Sequence, residues 1–512
     1  MKTVVVLGAG NSGLFAAIML KKFRPGANIM CIGSPEIGIV GVGESSTEHF
    51  NNFRRLVQAS HKDVVKECLA TFKYGVYFEN WNGSDYIHAL LGQNVPTTHY
   101  DDEYGVYGIM SEGKHAIKTV PSHFYEPHIK VSVEDGLPNQ FHFDTMKLNE
   151  WLRKLCKQVG VHLFDDTIDE ITYHENGYVK SVISNKSEKE YEGDLFVDAS
   201  GFKRILVKEL PEMNFISKQD ELFVNSAIAF QCPHEGDNYR CFTTAKKMNA
   251  GWMWRIPTYT RMGNGYAYND KFITEEEAIK EIEEKLGFTP NIGRRFKFEA
   301  GYYENTWQRN VVAIGLSSHF FEPLEATAIG IGLLQAKLLS DYLQADKQKD
   351  SYNSKIRDLM KNVYNFIRLH YCNCNADTPF WEHVSQSVLP AEVQKIIDIA
   401  QERMIVSEDI NCNNDWNMFT PHSYNQVLYA LGYLKPEKAR EHMDLLRKYE
   451  DWQVKKEYAL KRQDHVINTC LPHKAQIEEW MNDTTPTQTD NVVIGTNSLV
   501  NKSLPDGCLA AG

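Results

Sequence analysis

The beginning of the chain alternates between apolar and amphipathic stretches, a pattern typical of a parallel α/β sheet. Residues 3–7 are almost wholly apolar and β-branched, and they predict a strand buried on both faces. Residues 12–23 carry apolar positions at helical spacing, and residues 28–32 predict a second strand. Further apolar runs at 195–200 and 311–316 predict strands that return to the same sheet. We therefore expect one sheet assembled from segments far apart in the chain.

The pattern changes along the rest of the sequence. Residues 274–286 predict an amphipathic helix with a capping box formed by Thr274 and Glu277, and its acidic run is expected to face solvent. Helical spacing dominates from residue 330 to about residue 480. The predicted class is α/β, with a Rossmann-like domain built from discontinuous segments, an inserted β-rich substrate region and a mainly helical C-terminal region. The expected boundaries are 1–340 for the Rossmann-like domain with insertions at about 70–145 and 210–300, then 341–482 for the helical region and 483–512 for a polar tail.

Composition narrows the class of protein. The 512 residues carry a net charge of −12 at pH 7, which argues against a nucleic-acid or anionic-membrane partner. Ten cysteines are scattered without a Cys-x-x-Cys pair, which predicts reduced thiols and no metal site. The short N-terminal apolar run ends in a glycine turn, and no later stretch approaches the roughly 18 apolar residues of a membrane-spanning helix. The sequence therefore predicts a cytoplasmic protein.

A turn rich in glycine lies between the first strand and the first helix. Gly8, Gly10 and Gly13 have the spacing Gly-x-Gly-x-x-Gly of a dinucleotide-binding unit. Glycines let the backbone approach a pyrophosphate, and Asn11 and Ser12 open the helix whose N–H groups would hold it. The motif by itself fits NAD or FAD.

Later positions bear on the choice of cofactor. The ribose-binding carboxylate expected at the end of the second strand is replaced by Gly33. Either Glu36, three residues further on, binds the ribose instead, or this contact is absent. Asp198 to Gly201 ends a strand in a glycine turn, and Gly315 lies where another strand runs into a loop and a helix. These turns resemble the second and third fingerprints of flavoprotein monooxygenases, where such loops contact the ribityl chain and the flavin ring. The resemblance favours FAD, although either turn alone is compatible with an ordinary strand end.

A tryptophan pair carries a more specific resemblance. Residues 251–257 read Gly-Trp-Met-Trp-Arg-Ile-Pro, which puts Trp252 and Trp254 on one side of an extended segment. From the residues alone, core packing explains this pair better than a functional role does. The segment resembles the Trp-x-Trp-x-Ile-Pro signature of flavin-dependent tryptophan halogenases, and the chain resembles a divergent member of that family. The resemblance implies that both rings lie by the flavin and keep organic substrates away while a halide passes.

Residues 71–81 resemble the family's segment that bears an essential lysine. Lys73 stands between apolar neighbours in a strand-like run, which is unusual because burying an unpaired ammonium group is costly. From the residues alone, a solvent-exposed strand edge explains it equally well. The resemblance implies that Lys73 is catalytic. It would hold hypohalous acid by a hydrogen bond or as a haloamine, and direct electrophilic halogen at an aromatic carbon.

Residues 321–330 resemble the family's Glu-Pro-Leu-Glu-Ser-Thr-Gly stretch. Glu325 aligns with the catalytic glutamate, which polarises the hypohalous acid or accepts the proton lost from the ring. Thr327 and Ala328 align with the halide-binding Thr-Gly position, where backbone N–H groups at a helix N-terminus would cradle the anion. Ala326 replaces the usual serine and Ala328 a glycine, which leaves the preferred halide open.

Other segments extend the resemblance from about residue 3 to about residue 440. The loop that ends in Gly43, Glu44 and Ser45 resembles a second flavin-contacting loop, and Ile329 is expected at the flavin. Further matching stretches occur at residues 141–144, 369–381 and 416–432.

Substrate recognition is less well marked. His88 begins a His-Ala-Leu-Leu-Gly sequence where tryptophan-specific members carry His-x-Phe-Gly, so the phenylalanine is missing. Phe419 lies in the late stretch that is expected to cover the substrate. His88 and Phe419 are therefore the candidate substrate contacts. The chemistry implies an electron-rich aromatic of indole or phenol type, without securing free tryptophan.

The resemblance implies a complete reaction. A separate flavin reductase supplies FADH₂, oxygen forms a flavin C4a-hydroperoxide, and this oxidises chloride, bromide or iodide to hypohalous acid, which reaches Lys73 by an internal passage. One alternative is an FAD-dependent aromatic hydroxylase that needs no halide, and another is a flavin-binding scaffold without chemistry. The sequence leaves the natural substrate, the halogenated position and a homo-oligomeric state open.

Overall fold

The fold is given by a computed structural model. It describes residues 2–34, 44–89, 140–236, 239–343, 349–410, 417–445 and 468–487, with short stretches at 107–108, 110–113, 130–131, 454, 457, 461, 489, 493–494 and 498–499. The expected flavin-loop residue Gly43 and the alternative ribose ligand Glu36 lie outside the described residues.

Helices occur throughout the chain and dominate its last third. In chain order they are α1 (Asn11–Phe23), α2 (His49–Leu56), α3 (His61–Cys68), α4 (Thr145–Val159), α5 (Glu275–Leu286), α6 (Thr327–Tyr342), α7 (Lys349–His370), α8 (Pro379–Ser385), α9 (Ala391–Glu402), α10 (Pro421–Ala430), α11 (Pro436–Leu445) and α12 (His473–Asn482).

Strands are concentrated in the first two thirds. In chain order they are β1 (Thr3–Leu7), β2 (Asn28–Gly33), β3 (Glu44–Ser45), β4 (Thr71–Lys73), β5 (Gly75–Glu79), β6 (Tyr86–Ala89), β7 (Lys130–Val131), β8 (Gln140–Phe143), β9 (His162–Asp165), β10 (Glu170–Tyr173), β11 (Val179–Ser184), β12 (Lys189–Glu192), β13 (Leu195–Asp198), β14 (Phe215–Ser217), β15 (Ser226–Cys232), β16 (Phe242–Met248), β17 (Gly251–Pro257), β18 (Met262–Tyr268), β19 (Asn291–Lys297), β20 (Gly301–Tyr303), β21 (Trp307–Gln308), β22 (Val311–Ala313), β23 (His319–Phe320), β24 (Leu471–Pro472), β25 (Val493–Ile494) and β26 (Ser498–Leu499).

The first sheet is the predicted Rossmann-like sheet. Its order is β21-β22-β13-β1-β2-β9, and its pairs are parallel except for β21 with β22. β1 is buried along its apolar positions, and α1 packs against both α4 and α6. The expectation that β13 and β22 return to this sheet is confirmed. The carboxyl ends of β1, β2 and β13 therefore meet at one edge, where open α/β sheets bind their ligands.

A second, seven-stranded sheet supplies the inserted β-rich region. Its order is β19-β15-β18-β17-β16-β5-β6, and β17 lies at its centre. A small sheet of order β3-β8-β4 connects the end of the expected flavin loop to the strand that carries Lys73. The predicted helix α5 has the capping box, because Thr274 accepts a hydrogen bond from the Glu277 N–H and the Glu277 carboxylate accepts one from the Thr274 N–H.

The C-terminal region is helical, as predicted, and its last helix returns to the first half of the chain. The Phe72 N–H donates to His473 Nε2 at 2.9 Å, and the two rings stack with centroids 5.6 Å apart. Just beyond α12, the Asp483 carbonyl accepts a hydrogen bond from Lys66 on α3. Among the described helices, none has both the length and the apolar character needed to cross a bilayer.

Candidate active site

A cavity of about 900 Å³ opens where β1, β2, β9 and β13 end, and it extends to the face of the seven-stranded sheet. The glycine turn lines one side, and residues 319–329 together with the tryptophans of β17 line the other. This is the edge at which sheets of this topology bind nucleotides, and the volume is that of a cofactor site.

Two glycines of the first turn are required by packing. Gly8 has a φ of +109°, and a Cβ there would lie 2.2 Å from the Ala199 carbonyl oxygen. A Cβ on Gly13 would lie 1.8 Å from the Gly8 carbonyl oxygen. Both glycines therefore let α1 approach the sheet edge closely, and Gly8 also lines the cavity.

Gly10 has a different function. A Cβ there would meet nothing within 4 Å, and Gly10 lines the cavity together with Asn11 and Ser12. In the described structure, Gly10 is the N-cap of α1 without a side-chain cap, and the first turn contains no acidic residue. The first N–H groups of the helix are therefore left for an anion, and the space beside Gly10 fits the pyrophosphate of FAD.

Alanine at these glycines separates packing from cofactor binding. We expect Gly13→Ala to lower the free energy of unfolding by about 2 kcal/mol or more, because the new methyl group overlaps backbone. Gly10→Ala should leave it within about 0.5 kcal/mol, yet weaken FAD binding by about tenfold or more. Thermal unfolding without FAD and a fluorescence titration with FAD measure the two effects. Unchanged FAD affinity in Gly10→Ala would contradict the pyrophosphate site.

The structure explains why Gly33 replaces the usual ribose-binding carboxylate. A Cβ at Gly33 would lie 2.4 Å from the Ala9 Cβ, so a larger residue has no room there. Asp165 is paired with Gly33 at the end of the next strand, lines the cavity, and lies 3.1 Å from the Arg153 guanidinium. A carboxylate is thus present at this edge on another strand. Because Asp165 lies more than 100 residues beyond the first βαβ unit, the residue spacing within that unit could not predict its position.

The turn at residues 198–201 and the turn at Gly315 lie next to the cavity. Asp198 is fully buried, and its carboxylate accepts hydrogen bonds from the N–H groups of Ser200 and Leu206. It therefore fixes the turn in which Gly201 lines the cavity, and it does not itself line the cavity. Gly315 has a φ of +66°, and a Cβ there would lie 2.5 Å from a hydroxyl in the first turn of α1.

The tryptophan pair forms an apolar wall on the sheet side. Trp252 and Trp254 both line the cavity, and their ring centroids are 6.0 Å apart. Both point to the same side of β17, as the spacing predicts. Ile256 and Phe321 continue this apolar surface along the cavity.

Lys73 is completely buried at the end of β4, so the alternative of a solvent-exposed strand edge is wrong. Its ammonium group donates to Ser45 Oγ at 3.2 Å and to the Ser46 carbonyl at 3.1 Å. Burial lowers the pKa of Lys73 to about 8, and the charges of Glu325 and Glu48 oppose that fall. Because Ser45 lines the cavity, Lys73 lies directly behind the cavity wall.

Glu325 lies between two imidazole rings. His88 Nδ1 is 2.9 Å from Oε2 and His370 Nε2 is 3.2 Å from Oε1, and all three side chains are fully buried. The Tyr86 hydroxyl lies 3.0 Å from His370 Nδ1. Burial acts to raise the pKa of Glu325, but the attraction of His88 and the contacts with both rings outweigh it and lower the pKa to about 2. Burial lowers the pKa of His370, so a neutral ring lies beside an ionised carboxylate.

The backbone around Glu325 is strained. Glu325 and Ala326 have φ values of +63° and +55°, and two consecutive left-handed residues other than glycine are costly. The turn aims the carboxylate inward and starts α6 at Thr327, with no side-chain cap or first-turn acid in the described structure. Thr327, Ala328 and Ile329 line the cavity. An uncapped helix N-terminus that faces a cavity favours an anion, which fits a halide.

Of the two candidate substrate residues, His88 contacts the Glu325 carboxylate and Phe419 lies next to His88; both are buried, and neither lines the cavity. The ring centroids of His88 and Phe419 are 6.0 Å apart, and Phe366 stacks on Phe419 at 3.9 Å. His88 Nε2 is buried and has no hydrogen-bond partner among the described residues. The segments that adjoin this group in the chain, 90–106 and 411–416, lie outside the described residues.

Several residues of the site were not identified from sequence. Tyr86 and His370 orient Glu325, and Tyr371 contacts Glu322 on the cavity wall. The sequence placed His370 and Tyr371 only in a matching stretch without a role. A His-Tyr pair at the end of a long amphipathic helix is a weak indication, because its partners are remote in the chain.

Comparison with known proteins agrees with this geometry. The chain matches the family model for tryptophan halogenase over residues 3–448. The 7-chloro-L-tryptophan 6-halogenase KtzR of Kutzneria sp. (strain 744) is 28% identical over 475 residues, which cover 84% of this chain and 91% of that protein. The tryptophan 7-halogenase RebH of Lentzea aerocolonigenes is also 28% identical, with 79% and 82% covered.

Solved structures of tryptophan halogenases are also similar to this chain. Tar14, a tryptophan C-6 flavin-dependent halogenase from taromycin biosynthesis, superposes with a TM-score of 0.83 at 25% identity, covering 94% of this chain and 100% of that one. The tryptophan 6-halogenase SttH from Streptomyces toxytricini gives a TM-score of 0.81 at 26% identity, covering the same shares. The chain therefore belongs to the tryptophan halogenase family, whose members are enzymes that use reduced FAD and a halide ion.

Proposed function

We propose that this enzyme oxidises a halide and delivers the oxidised halogen through Lys73 to an electron-rich aromatic substrate of indole or phenol type. The observation that carries the proposal is the burial of Lys73 behind the cavity wall, close enough to Glu325 on that wall for its charge to act on the lysine. Both side chains are buried, and the charge of Glu325 raises the pKa of Lys73, so the two groups act within one electrostatic site.

The cavity residues fit the flavin cofactor. The uncapped start of α1 would hold the pyrophosphate beside Gly10, Asn11 and Ser12, while Ile329 and the backbone at Gly201 would contact the flavin portion. Reduced FAD and oxygen would supply the oxidising equivalent for the halide. The start of α6 would hold the halide at Thr327 and Ala328. Glu44 and Gly43 remain expected cofactor contacts.

Lys73 is suited to receive hypohalous acid. Its pKa near 8 keeps part of the population as a neutral amine at mildly alkaline pH, and a neutral amine accepts halogen while the ammonium form donates a hydrogen bond. Glu325 is suited to accept a ring proton, because its imidazole neighbours hold it ionised. Trp252 and Trp254 line the cavity, and their bulk would keep an aromatic ring away from the flavin while a small halide ion could still reach it.

The aromatic substrate is proposed from chemistry and from relatives. The names of KtzR and RebH specify 7-chloro-L-tryptophan and tryptophan as their substrates, so indoles are the first candidates. The free Nε2 of His88 and the rings of Phe419 and Phe366 would contact such a substrate. The missing phenylalanine after His88 argues for testing phenols as well.

The proposal extends to organisation and partners. Residues 1–340 would bind flavin and oxidise halide, residues 341–482 would cover the substrate, and 483–512 would form a polar tail. A separate flavin reductase would supply FADH₂. A reducing compartment such as the cytoplasm is supported by the eight described cysteines, which are all free thiols.

A turnover assay tests the proposal. The protein is supplied with FAD, a flavin reductase, NADH and oxygen, and is offered indoles and phenols with chloride, bromide, iodide or no halide. We expect a product whose mass gain matches the halide supplied, and no oxygenated product without halide. A hydroxylated product formed without halide would favour an aromatic hydroxylase and contradict the proposal. Mass spectrometry identifies the products formed with each halide and without halide.

A further inference from the structure

Two buried carboxyl groups on the cavity wall have opposite environments. Glu322 and Glu325 stand three residues apart, and both line the cavity. Glu325 faces two imidazole rings. Glu322 faces the Tyr371 hydroxyl, which lies 2.9 Å and 3.0 Å from its two oxygens. No ion pair to Glu322 exists among the described residues.

Aromatic rings surround Tyr371, the hydrogen-bond partner of Glu322. The Tyr371 ring packs against Trp81 and Trp381, with centroids 5.3 Å and 5.9 Å away, and against Phe223 at 5.4 Å. Arg368, near the end of α7, donates to a serine hydroxyl and lies over the Phe223 ring, and Lys247 lies over the Trp381 ring. On the side away from the cavity, Glu322 therefore meets the Tyr371 hydroxyl and aromatic rings, and neither cation forms an ion pair with it among the described residues.

A carboxyl group in such surroundings holds its proton. Removing a carboxylate from water without a cation is so costly that the group neutralises instead. Burial raises the pKa of Glu322 to about 8, and the contacts with Tyr371 and Trp252 only partly offset this. Burial and the nearby Glu322 also raise the pKa of Tyr371 well above 10, so Tyr371 remains a hydroxyl. Two carboxyls whose environments separate their pKa values in this way are the pattern of an acid and a base.

We infer that Glu322 is a proton donor on the cavity wall, which supplies the proton consumed when the halide is oxidised, while Glu325 takes up the proton that the aromatic ring releases. This inference rests on the proposed function. It assigns a role to Glu322, which the roles proposed for Lys73 and Glu325 do not involve.

The reaction has one step that consumes a proton and one that releases a proton, and the two groups would serve one step each. Oxidising a halide to hypohalous acid moves two electrons from the halide to oxygen, forms an oxygen–halogen bond, breaks an oxygen–oxygen bond and consumes one proton. Glu322 releases that proton from Oε, its bonding pair stays on the carboxylate, and water reprotonates it between turnovers. Ring substitution then forms the carbon–halogen bond and breaks the oxygen–halogen bond. Glu325 accepts the ring proton and returns it to the departing hydroxide, which leaves as water.

Infrared spectroscopy of the protein without FAD tests the protonation state. At pH 7 we expect a carbonyl band of a protonated carboxyl that shifts in heavy water, disappears in Glu322→Gln and persists in Glu325→Gln. Tyr371→Phe removes a donor to the charged form, so the band should survive to higher pH than in the wild type. If Glu322→Gln leaves the spectrum unchanged at pH 7, Glu322 is ionised and the inference is overturned.

A second readout tests proton donation. With reduced FAD, oxygen and halide, Glu322→Gln should form hypohalous acid, measured with a chemical trap, about 100-fold more slowly or worse. The wild-type rate should fall as pH rises through about 8, and this dependence should be missing in the variant. FAD affinity, measured by fluorescence, should not change.

The two readouts separate this inference from the proposed function. Full-speed halide oxidation by Glu322→Gln overturns the donor role and leaves halogenation intact. A wild-type protein that carries the infrared band but oxidises no halide overturns the proposed function, and the donor role with it.

Discussion

Lys73→Met is expected to reduce halogenation by roughly 10²- to 10⁴-fold while FAD binding is retained. Methionine has a similar length but neither donates a hydrogen bond to oxidised halogen nor accepts halogen as an amine. Lys73 lies behind the wall at Ser45 and does not line the cavity, so the flavin pocket keeps its shape. Product formation by mass spectrometry and FAD titration by fluorescence measure the two properties separately.

The same substitution should stabilise the fold. The pKa of Lys73 is lowered from 10.5 to about 8, so the folded protein binds this proton less tightly than the unfolded chain. The cost is present in full below pH 8, falls as pH rises from about 8 to 10.5, and is absent above that range. At pH 7 we therefore expect Lys73→Met to raise the free energy of unfolding by up to about 3 kcal/mol. Urea unfolding at several pH values would reveal it.

Lys247 provides a matched control. It is also a buried lysine, it donates to the Asn375 carbonyl at 2.7 Å, and it is paired with Asp377 away from the cavity. Lys247→Met should keep halogenation within about twofold of the wild type, since Lys247 does not line the cavity and its ammonium group is paired with Asp377. Equal activity losses in both lysine variants would mean that burial, not chemistry, explains Lys73.

Glu325→Gln is expected to lower halogenation by about 10²-fold or more and, unlike Lys73→Met, to destabilise the fold. The amide cannot accept a ring proton. The pKa of Glu325 falls from 4.5 to about 2 on folding, so its ionised form adds stability that is complete above about pH 4.5 and is lost as pH falls towards 2. The amide lacks this contribution of up to about 3 kcal/mol, and thermal unfolding at pH 7 should detect the difference.

Glu281 is the control for this variant. It is a buried glutamate that accepts hydrogen bonds from the Tyr266 hydroxyl and the Asn249 N–H, and it does not line the cavity. Burial raises its pKa, so Glu281→Gln should not reproduce the stability loss near neutral pH. Halogenation that survives Glu325→Gln while Glu281→Gln behaves normally would assign the ring proton to another acceptor.

Local pattern predicted the framework of the fold well. An uninterrupted apolar run, a glycine turn and a helical period each depend on neighbours within a few residues, so β1, α1 and the capping box of α5 could be predicted from sequence. Gly33 was harder to interpret. A glycine is needed there because Ala9 packs closely against it. The nearby carboxylate, Asp165, is on β9, and only the order of strands in the sheet shows that β9 is next to β2.

The site was predicted only where a resemblance supplied it. Lys73 and Glu325 were recognised as a pair, but their protonation states depend on groups that packing brings together from distant segments. His370 lies on a helix and His88 on a strand, and no spacing in the sequence relates either to Glu325. The contrast between Glu322 and Glu325 has the same origin. It follows from which side chains surround each carboxyl, not from the identical residue type.

The hydrogen bond from Phe72 to His473 also has a consequence for biosynthesis. Its partners are 401 residues apart in the chain, and Phe72 directly precedes Lys73. At a translation rate of about 5–20 residues per second, the N–H of Phe72 waits some 20–80 s for its acceptor to be made. A polypeptide that ends before residue 473 therefore lacks the acceptor for the N–H that directly precedes Lys73, so the surroundings of the lysine are completed only after most of the chain has been synthesised.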